Sequence, residues 1–158
     1  ALSLYEDVRE GLQPDQHFFD PHDARVIGEA LDELLPAGSL IALEWGGIIP
    51  YYTSHQVLDT FGINDREISG GDFPSSIWGK QVGPEYVASR EPDLIVPCAR
   101  IFPTEKAALR STRGNGPCNY RYYMQLNRPS MGYVLKILRL GEEQYWPALV
   151  KIDGPLAK

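Results

Sequence analysis

The sequence predicts an α/β fold: a single domain with a mixed, partly parallel sheet, helices packed on it and antiparallel C-terminal edge strands. The first observation is the order helix, strand, strand, helix, strand between residues 22 and 98, with short links, which is typical of sheets that contain parallel strands. The second is that the tail is rich in strand-favouring aromatic residues. The third is the length of 158 residues, which suits one domain over 1–158.

The first clear helix is predicted to begin at Asp20, a suitable N-cap, with Pro21 as its first helical residue. Apolar residues then recur at the three- and four-residue spacing of a buried helix face. They are Val26, Ile27, Ala30, Leu31, Leu34 and Leu35. The segment 36–38, Pro-Ala-Gly, is expected to end this helix.

Three short apolar runs predict the strands of the sheet. Residues 39–45 form the first, which Gly46-Gly47 break, and residues 56–59 and 93–98 form the other two. A turn or a short helical start is expected over 48–53.

The remaining elements follow from local signals of the same kind. We expect a loop entering a short helix at 63–68, a helix at 84–90, a helix and then an exposed loop within 104–117, and antiparallel strands at 119–127, 131–140 and 145–152.

Charge and hydropathy exclude two classes of protein. Fifteen basic and 21 acidic residues give a net charge of −6, which argues against binding to nucleic acid because such proteins cluster Lys and Arg. No apolar run approaches the roughly 20 residues that are needed to cross a bilayer.

The two cysteines leave the cellular compartment open. Cys98 and Cys118 permit one disulfide that closes a loop of about 20 residues, which would be stable in an oxidising compartment. In a reducing compartment both would be buried thiols. The sequence has no Cys-x-x-Cys and no paired histidines, so it predicts no metal site.

Familiar catalytic and cofactor motifs do not occur in the sequence. Gly46-Gly47 follows a strand but lacks the spacing of a dinucleotide-binding or phosphate-binding loop, and a tight turn explains it better. There is no Gly-x-Ser-x-Gly, and no histidine lies near Cys118 in the sequence. We therefore predict no catalytic residue and no cofactor.

A cluster of aromatic and polar residues follows the first two strands. In an open α/β sheet, ligands gather beyond the carboxyl ends of the strands. Aromatic rings stack on the C–H groups of a sugar, and carboxylates accept its hydroxyl protons. The predicted ligand-binding residues are Glu44, Trp45, Tyr51, Tyr52, Asp59, Asn64, Asp65 and Arg66.

A purely structural explanation of this cluster stays open. The two tyrosines would then cover the sheet, and Asp59 would cap the turn over 64–68. Arg66 would either meet a phosphate or pair with Asp65 or Glu67.

Two passages resemble a known family. They are residues 40–52 (LIALEWGGIIPYY) continuing through 57–68 (VLDTFGINDREI), and residues 86–96 (YVASREPDLIV). In this order they resemble the extracytoplasmic C-terminal domain of bacterial membrane glycosyltransferases of the GT-C type, which use polyprenyl-phosphate sugars and include arabinofuranosyltransferase-like proteins. The resemblance covers about residues 25–98. It departs from the family's pattern at Glu67 and Lys80, where histidines are expected, so no role of those histidines carries over.

The resemblance implies an accessory role outside the cytoplasm. The transfer chemistry of such enzymes belongs to the membrane-spanning part of the same polypeptide, which would be the partner of this domain. The domain itself would bind or orient an acceptor glycan or a polyprenyl-phosphate sugar. Its position would also allow Cys98 and Cys118 to pair.

Two alternatives belong to other functional classes. One is a free-standing carbohydrate-active enzyme that uses Glu44 with Asp59 or Asp65 as an acid/base pair. The other is a structural domain that braces the membrane part or mediates assembly without binding a glycan.

Overall fold

A computed structural model describes residues 20–44, 47–76, 79–113 and 120–157 of the chain. The elements, in chain order, are α1 (Pro21–Leu34), β1 (Leu40–Leu43), α2 (Ile48–Tyr52), β2 (Gln56–Asp59), α3 (Arg66–Gly70), β3 (Ser75–Ser76), β4 (Gly79–Lys80), α4 (Pro84–Ser89), β5 (Leu94–Val96), α5 (Glu105–Ser111), α6 (Tyr120–Tyr123), β6 (Tyr133–Gly141) and β7 (Gln144–Lys151). Two 3₁₀ turns, at Met124–Leu126 and Pro129–Met131, connect α6 to β6.

Helix α1 forms for the reasons that its sequence indicates. The Asp20 carboxylate accepts a 2.8 Å hydrogen bond from the backbone N–H of His22, and Pro21 opens the helix. Ala24, Ile27 and Leu31 are fully buried on one face. The predicted N-cap and first residue are therefore confirmed, as is the burial of Ile27, Leu31 and Leu35 in the predicted apolar stripe, whereas its other members, Val26, Ala30 and Leu34, are only partly buried.

The main sheet has five strands in the order β2-β1-β5-β7-β6. Strands β2 and β5 run parallel to β1, whereas β7 is antiparallel to β5 and β6 is antiparallel to β7. The predicted mixed α/β sheet is confirmed. The C-terminal hairpin occupies one side of it, with β6 at the edge and β7, whose residues 146–150 are all buried, inside.

The two faces of the sheet carry separate parts of the core. Ile41, Leu43 and Val96 pack under α1 with Trp146. Alternate residues point to the other face, as the two-residue period of a strand requires. There Ala42, Leu58, Ile95 and Leu149 pack with Ile68, Val82, Val87, Tyr123, Leu126 and Tyr133.

The strand predicted over 119–127 is wrong, because residues 120–126 are helical. Tyr120–Tyr123 form α6, and Met124–Leu126 form a 3₁₀ turn. Tyr120 and Tyr123 are both buried, three residues apart on one helical face, and the Tyr120 hydroxyl donates a 3.1 Å hydrogen bond to the Pro147 carbonyl. Burial against the sheet has outweighed the strand preference of tyrosine.

Other differences are smaller. The two-stranded sheet of β3 and β4 has no counterpart among the predictions. The first strand is shorter than expected, Leu40–Leu43 instead of 39–45. The expected helix within 104–117 is α5, and the loop expected after it, at 114–117, lies outside the described residues.

Candidate functional site

The short helix α2 lies directly on α1, at a place where α1 has a glycine. A Cβ atom added to Gly28 would lie 2.8 Å from Tyr52 Cβ and 3.0 Å from the Ile49 carbonyl oxygen. Ile49 is buried and anchors α2 in the core. Close contact between the two helices therefore fixes where the tyrosines of α2 stand.

The end of α2 is held by a carboxylate of α1. Asp32 Oδ1 accepts hydrogen bonds from the Thr53 hydroxyl, at 2.7 Å, and from the Ser54 backbone N–H, at 2.9 Å. These bonds lower the pKa of Asp32, the Ser54 N–H having the largest effect. His55, which follows, is buried, and its Nε2 lies 3.0 Å from the Leu31 carbonyl oxygen.

An open cleft of about 500 Å³ lies between the start of α1 and α2. Its lining residues are Pro21, His22, Arg25, Gly47, Ile48, Tyr51 and Tyr52. Tyr51 is 82% exposed, and its ring lies edge-on to that of Tyr52 with centroids 5.0 Å apart. The guanidinium of Arg25 lies 5.5 Å from the centre of the Tyr52 ring.

This combination suits the binding of a polar ligand with C–H faces. A solvent-exposed tyrosine ring offers a flat surface for stacking, and an arginine beside it offers several hydrogen-bond donors. The cleft is open to solvent, so it can admit part of a longer chain.

Two of the predicted ligand-binding carboxylates lie under the surface, beside the strand ends. Glu44, directly after β1, is 5% exposed and hydrogen-bonds with the hydroxyl of Tyr123. That hydroxyl also lies 3.3 Å from Thr60 Oγ1. Burial, and then the charge of Glu44, raise the pKa of Tyr123 well above its ordinary value of 10. Tyr123 therefore stays protonated and serves as a hydrogen-bond donor.

Asp59, the last residue of β2, is 1% exposed. Its Oδ1 accepts a 3.1 Å hydrogen bond from the Phe61 backbone N–H, and its Oδ2 accepts a 2.9 Å bond from the Asn64 backbone N–H. Asp59 therefore holds the loop that leads to α3, the structural role that was one of its two predicted alternatives.

The remaining predicted residues stand at the start of α3. Asp65 is the N-cap of this helix, and its Oδ1 accepts a 3.0 Å hydrogen bond from the Ile68 backbone N–H. Asn64 and Arg66 are exposed. Glu67, a predicted alternative partner of Arg66, forms a 2.7 Å ion pair with Arg90 instead.

The predicted cluster is thus divided into three places. Tyr51 and Tyr52 line the cleft, Glu44 and Asp59 are buried beside the strand ends, and residues 64–66 start α3. Trp45 lies outside the described residues.

Sequence reasoning missed His22 and Arg25. The two residues lie three apart on α1, and the 3.6-residue period alone would place them on one helix face. What the sequence lacks is any sign that this face meets α2, because that contact depends on the packing at Gly28.

Cys98 is disulfide-bonded. Cys118, the other cysteine of the sequence, lies outside the described residues. The carbonyl of Cys98 accepts a 3.0 Å hydrogen bond from the indole N–H of Trp146, which fixes the backbone after β5.

Two kinds of feature are absent from the described parts of the chain. No helix among them is long and apolar enough to pass through a membrane. Within the same ranges, no three His, Cys, Asp or Glu side chains are grouped so that they could hold a metal ion.

The model of a protein family described as a domain of unknown function, DUF8728, matches residues 13–145. The chain belongs to the DUF8728 family. The DUF8728 match includes α1, α2 and the three parallel strands, and it ends at the start of β7. The cleft between α1 and α2 therefore lies within the family domain. No curated protein and no solved structure matches the chain.

Proposed function

We propose that this domain binds a glycan in the cleft between α1 and α2, as the extracytoplasmic accessory domain of a membrane glycosyltransferase. In that role it orients an acceptor glycan, or the sugar of a polyprenyl phosphate, for the membrane-spanning part of the same polypeptide. The observation that carries the proposal is the pair of tyrosines in the cleft, of which Tyr51 is 82% exposed.

The exposure of Tyr51 is unusual for a residue whose only role is packing. A large aromatic side chain stabilises a fold by burial, and Tyr51 contributes little in that way. Its backbone is nevertheless fixed, because α2 is anchored by Ile49 and pressed against Gly28. An exposed ring on a fixed backbone loses less freedom when a sugar stacks on it than a ring on a mobile loop would.

The proposed location draws on two further observations. Disulfides persist in oxidising compartments, so the disulfide at Cys98 supports a position outside the cytoplasm. The tyrosines also belong to the passage, residues 40–52, that resembles the glycosyltransferase domains.

The geometry gives less support to a free-standing hydrolase. Such an enzyme needs two carboxyl groups that reach the substrate from opposite sides, roughly 5 to 10 Å apart. Glu44 and Asp59 are buried, and the Asp65 carboxylate caps α3. A domain that binds a glycan without cleaving it can use the exposed side chains of the cleft. It does not require the buried carboxylates to become accessible.

Titration of the ¹⁵N-labelled 158-residue chain, followed by backbone-amide NMR, tests the proposal. The ligands are short arabinan and mannan oligosaccharides, with water-soluble polyprenyl-phosphate analogues alongside. We expect shifts at Gly47, Ile48, Tyr51 and Tyr52. Tyr51→Ala should weaken binding about tenfold, which corresponds to an aromatic contact of ~1.4 kcal/mol, whereas Tyr51→Phe should retain it.

The matched control is Ile63→Ala. Ile63 is 70% exposed and lines a separate depression beside Phe61 and Lys80, so its truncation should leave glycan binding unchanged. If no ligand causes shifts at millimolar concentration, glycan recognition in this cleft is wrong. A structural or assembly role would then be the better explanation.

A further inference from the structure

We infer that the glycan bound in this cleft is acidic, with a carboxylate or phosphate group that Arg25 holds beside the tyrosines. The inference rests on the proposed function, because it specifies the ligand of the same site. Two observations support it: the cleft is lined by the cationic side chain of Arg25, and contacts with Glu29 and Tyr52 hold that side chain in place.

Arg25 is held in place by two contacts. Its Nε donates a 2.8 Å hydrogen bond to Glu29 Oε1, one helical turn further along α1, and its guanidinium lies over the ring of Tyr52 at 5.5 Å. Because both contacts exist before a ligand arrives, little side-chain freedom remains to be lost on binding.

The outer part of the guanidinium is available to a ligand. A guanidinium carries its N–H donors in one planar fork, and the bond to Glu29 uses the Nε donor. Among the described residues, Glu29 is the one carboxylate within ion-pair distance of Arg25, whose side chain is 57% exposed. The terminal N–H groups suit the paired oxygens of a carboxylate or phosphate.

The nearby acidic side chains at the start of α1 accept hydrogen bonds from backbone N–H groups. Asp20 accepts the 2.8 Å bond from the His22 N–H, and Asp23 accepts a 2.9 Å bond from the Ile101 N–H. Neither carboxylate lines the cleft, whereas His22 does, with a ring that can donate an N–H. The lining thus presents donors to a ligand oxyanion at the N-terminal end of α1, where the helix dipole favours negative charge.

Three ligands that differ in one substituent test this inference. They are mannotriose, the same trisaccharide with one terminal residue replaced by mannuronate, and mannotriose 6-phosphate, and the corresponding galactose series repeats the comparison. Binding to the 158-residue chain is measured by NMR titration at low and at high salt. We expect at least one acidic ligand to bind about tenfold more tightly than its neutral counterpart, and the difference to shrink at high salt.

Variants assign the effect to Arg25. Arg25→Gln should remove the preference for the acidic ligand, so that the variant binds its acidic and neutral ligands with affinities within about twofold of each other. Arg110→Gln, at an exposed arginine on α5, is the matched control and should change neither. The carboxylate and phosphate arms distinguish a uronic acid from a sugar phosphate.

The outcomes separate this inference from the proposed function. Equal binding of neutral and acidic ligands at Tyr51 would overturn the acidic preference and leave glycan binding intact. A preference that survives Arg25→Gln would overturn the role of Arg25. If none of these ligands binds, the inference is wrong, and the proposed function is wrong as well when the arabinan and polyprenyl-phosphate ligands also fail to bind.

Discussion

The indole N–H of Trp146 donates a 3.0 Å hydrogen bond to the carbonyl of Cys98. Trp146 is fully buried in β7, and Cys98 follows β5, so this bond connects the antiparallel half of the sheet to the end of a parallel strand. It ties the disulfide-bonded residue to the centre of the core.

Trp146→Phe should therefore destabilise the fold. The substitution keeps an aromatic ring but removes the donor of this hydrogen bond and opens a small cavity. We expect the free energy of unfolding to fall by about 1–3 kcal/mol in urea denaturation followed by circular dichroism. Val134→Ala, at a partly exposed residue of β6, is the control and should stay within about 0.5 kcal/mol of wild type. An unchanged midpoint for Trp146→Phe would show that the bond is not important.

Asp59 should prove to be a stabilising residue. Asp59→Ala leaves the backbone N–H groups of Phe61 and Asn64 without their acceptor, and we expect a loss of about 2–4 kcal/mol in the same assay. Asp59→Asn should also destabilise, because its amide nitrogen cannot accept the second bond. Asp72→Asn, at an exposed carboxylate, is the comparison. A stable Asp59→Ala variant with weakened glycan binding would instead support the predicted ligand role.

The contribution of Asp32 should depend on pH. Hydrogen bonds from Ser54 and Thr53 lower the pKa of Asp32 below its ordinary value of 3.8, so the folded state favours the ionised form. Its stabilising effect is therefore full above that value and is lost as the pH falls through the lower, folded-state pKa. Thermal denaturation should show Asp32→Asn to be less stable than wild type at neutral pH, and the difference should decrease in acid. Glu33→Gln is the neighbouring control, and a difference that is independent of pH would contradict this account.

Gly28 should be required for the contact between α1 and α2. Alanine is the better helix former by up to about 1 kcal/mol, yet at this position its Cβ would meet Tyr52 Cβ at 2.8 Å. We expect Gly28→Ala to destabilise by about 1–3 kcal/mol and to shift the amide resonances of Tyr51 and Tyr52. Gly70→Ala is the matched control, because the described residues outside its own helix leave open space around its added Cβ. If both variants unfold at the same temperature, the helices have room to adjust.

The elements that could be predicted are those that local interactions determine. The N-cap, the proline and the apolar spacing of α1 all lie within one short segment, and the buried strands read as apolar runs. Residues 120–126 could not be predicted in this way. Their tyrosines favour a strand, but Tyr120 and Tyr123 bury against the sheet from a helix.

In the candidate site, too, some residues could be predicted from local sequence and others depend on tertiary contacts. Tyr51 and Tyr52 could be singled out because they follow a strand in an α/β sequence. Arg25 could not, because its place beside Tyr52 depends on a contact between two helices that the sequence does not reveal. Glu44 and Asp59 also stand at strand ends, but both are buried: Glu44 hydrogen-bonds with the Tyr123 hydroxyl, and Asp59 accepts a bond from the Phe61 backbone N–H.

The position of β7 has a consequence for the order in which the protein is assembled during synthesis. The strand comes late in the sequence but lies between β5 and β6, and its buried residues complete the core on both faces. While the chain is still being made, β5 has an unpaired edge and the apolar residues of β1 and α1 lack their cover. Such an edge attracts other strands, so the nascent domain needs protection from association until residues 144–151 have emerged.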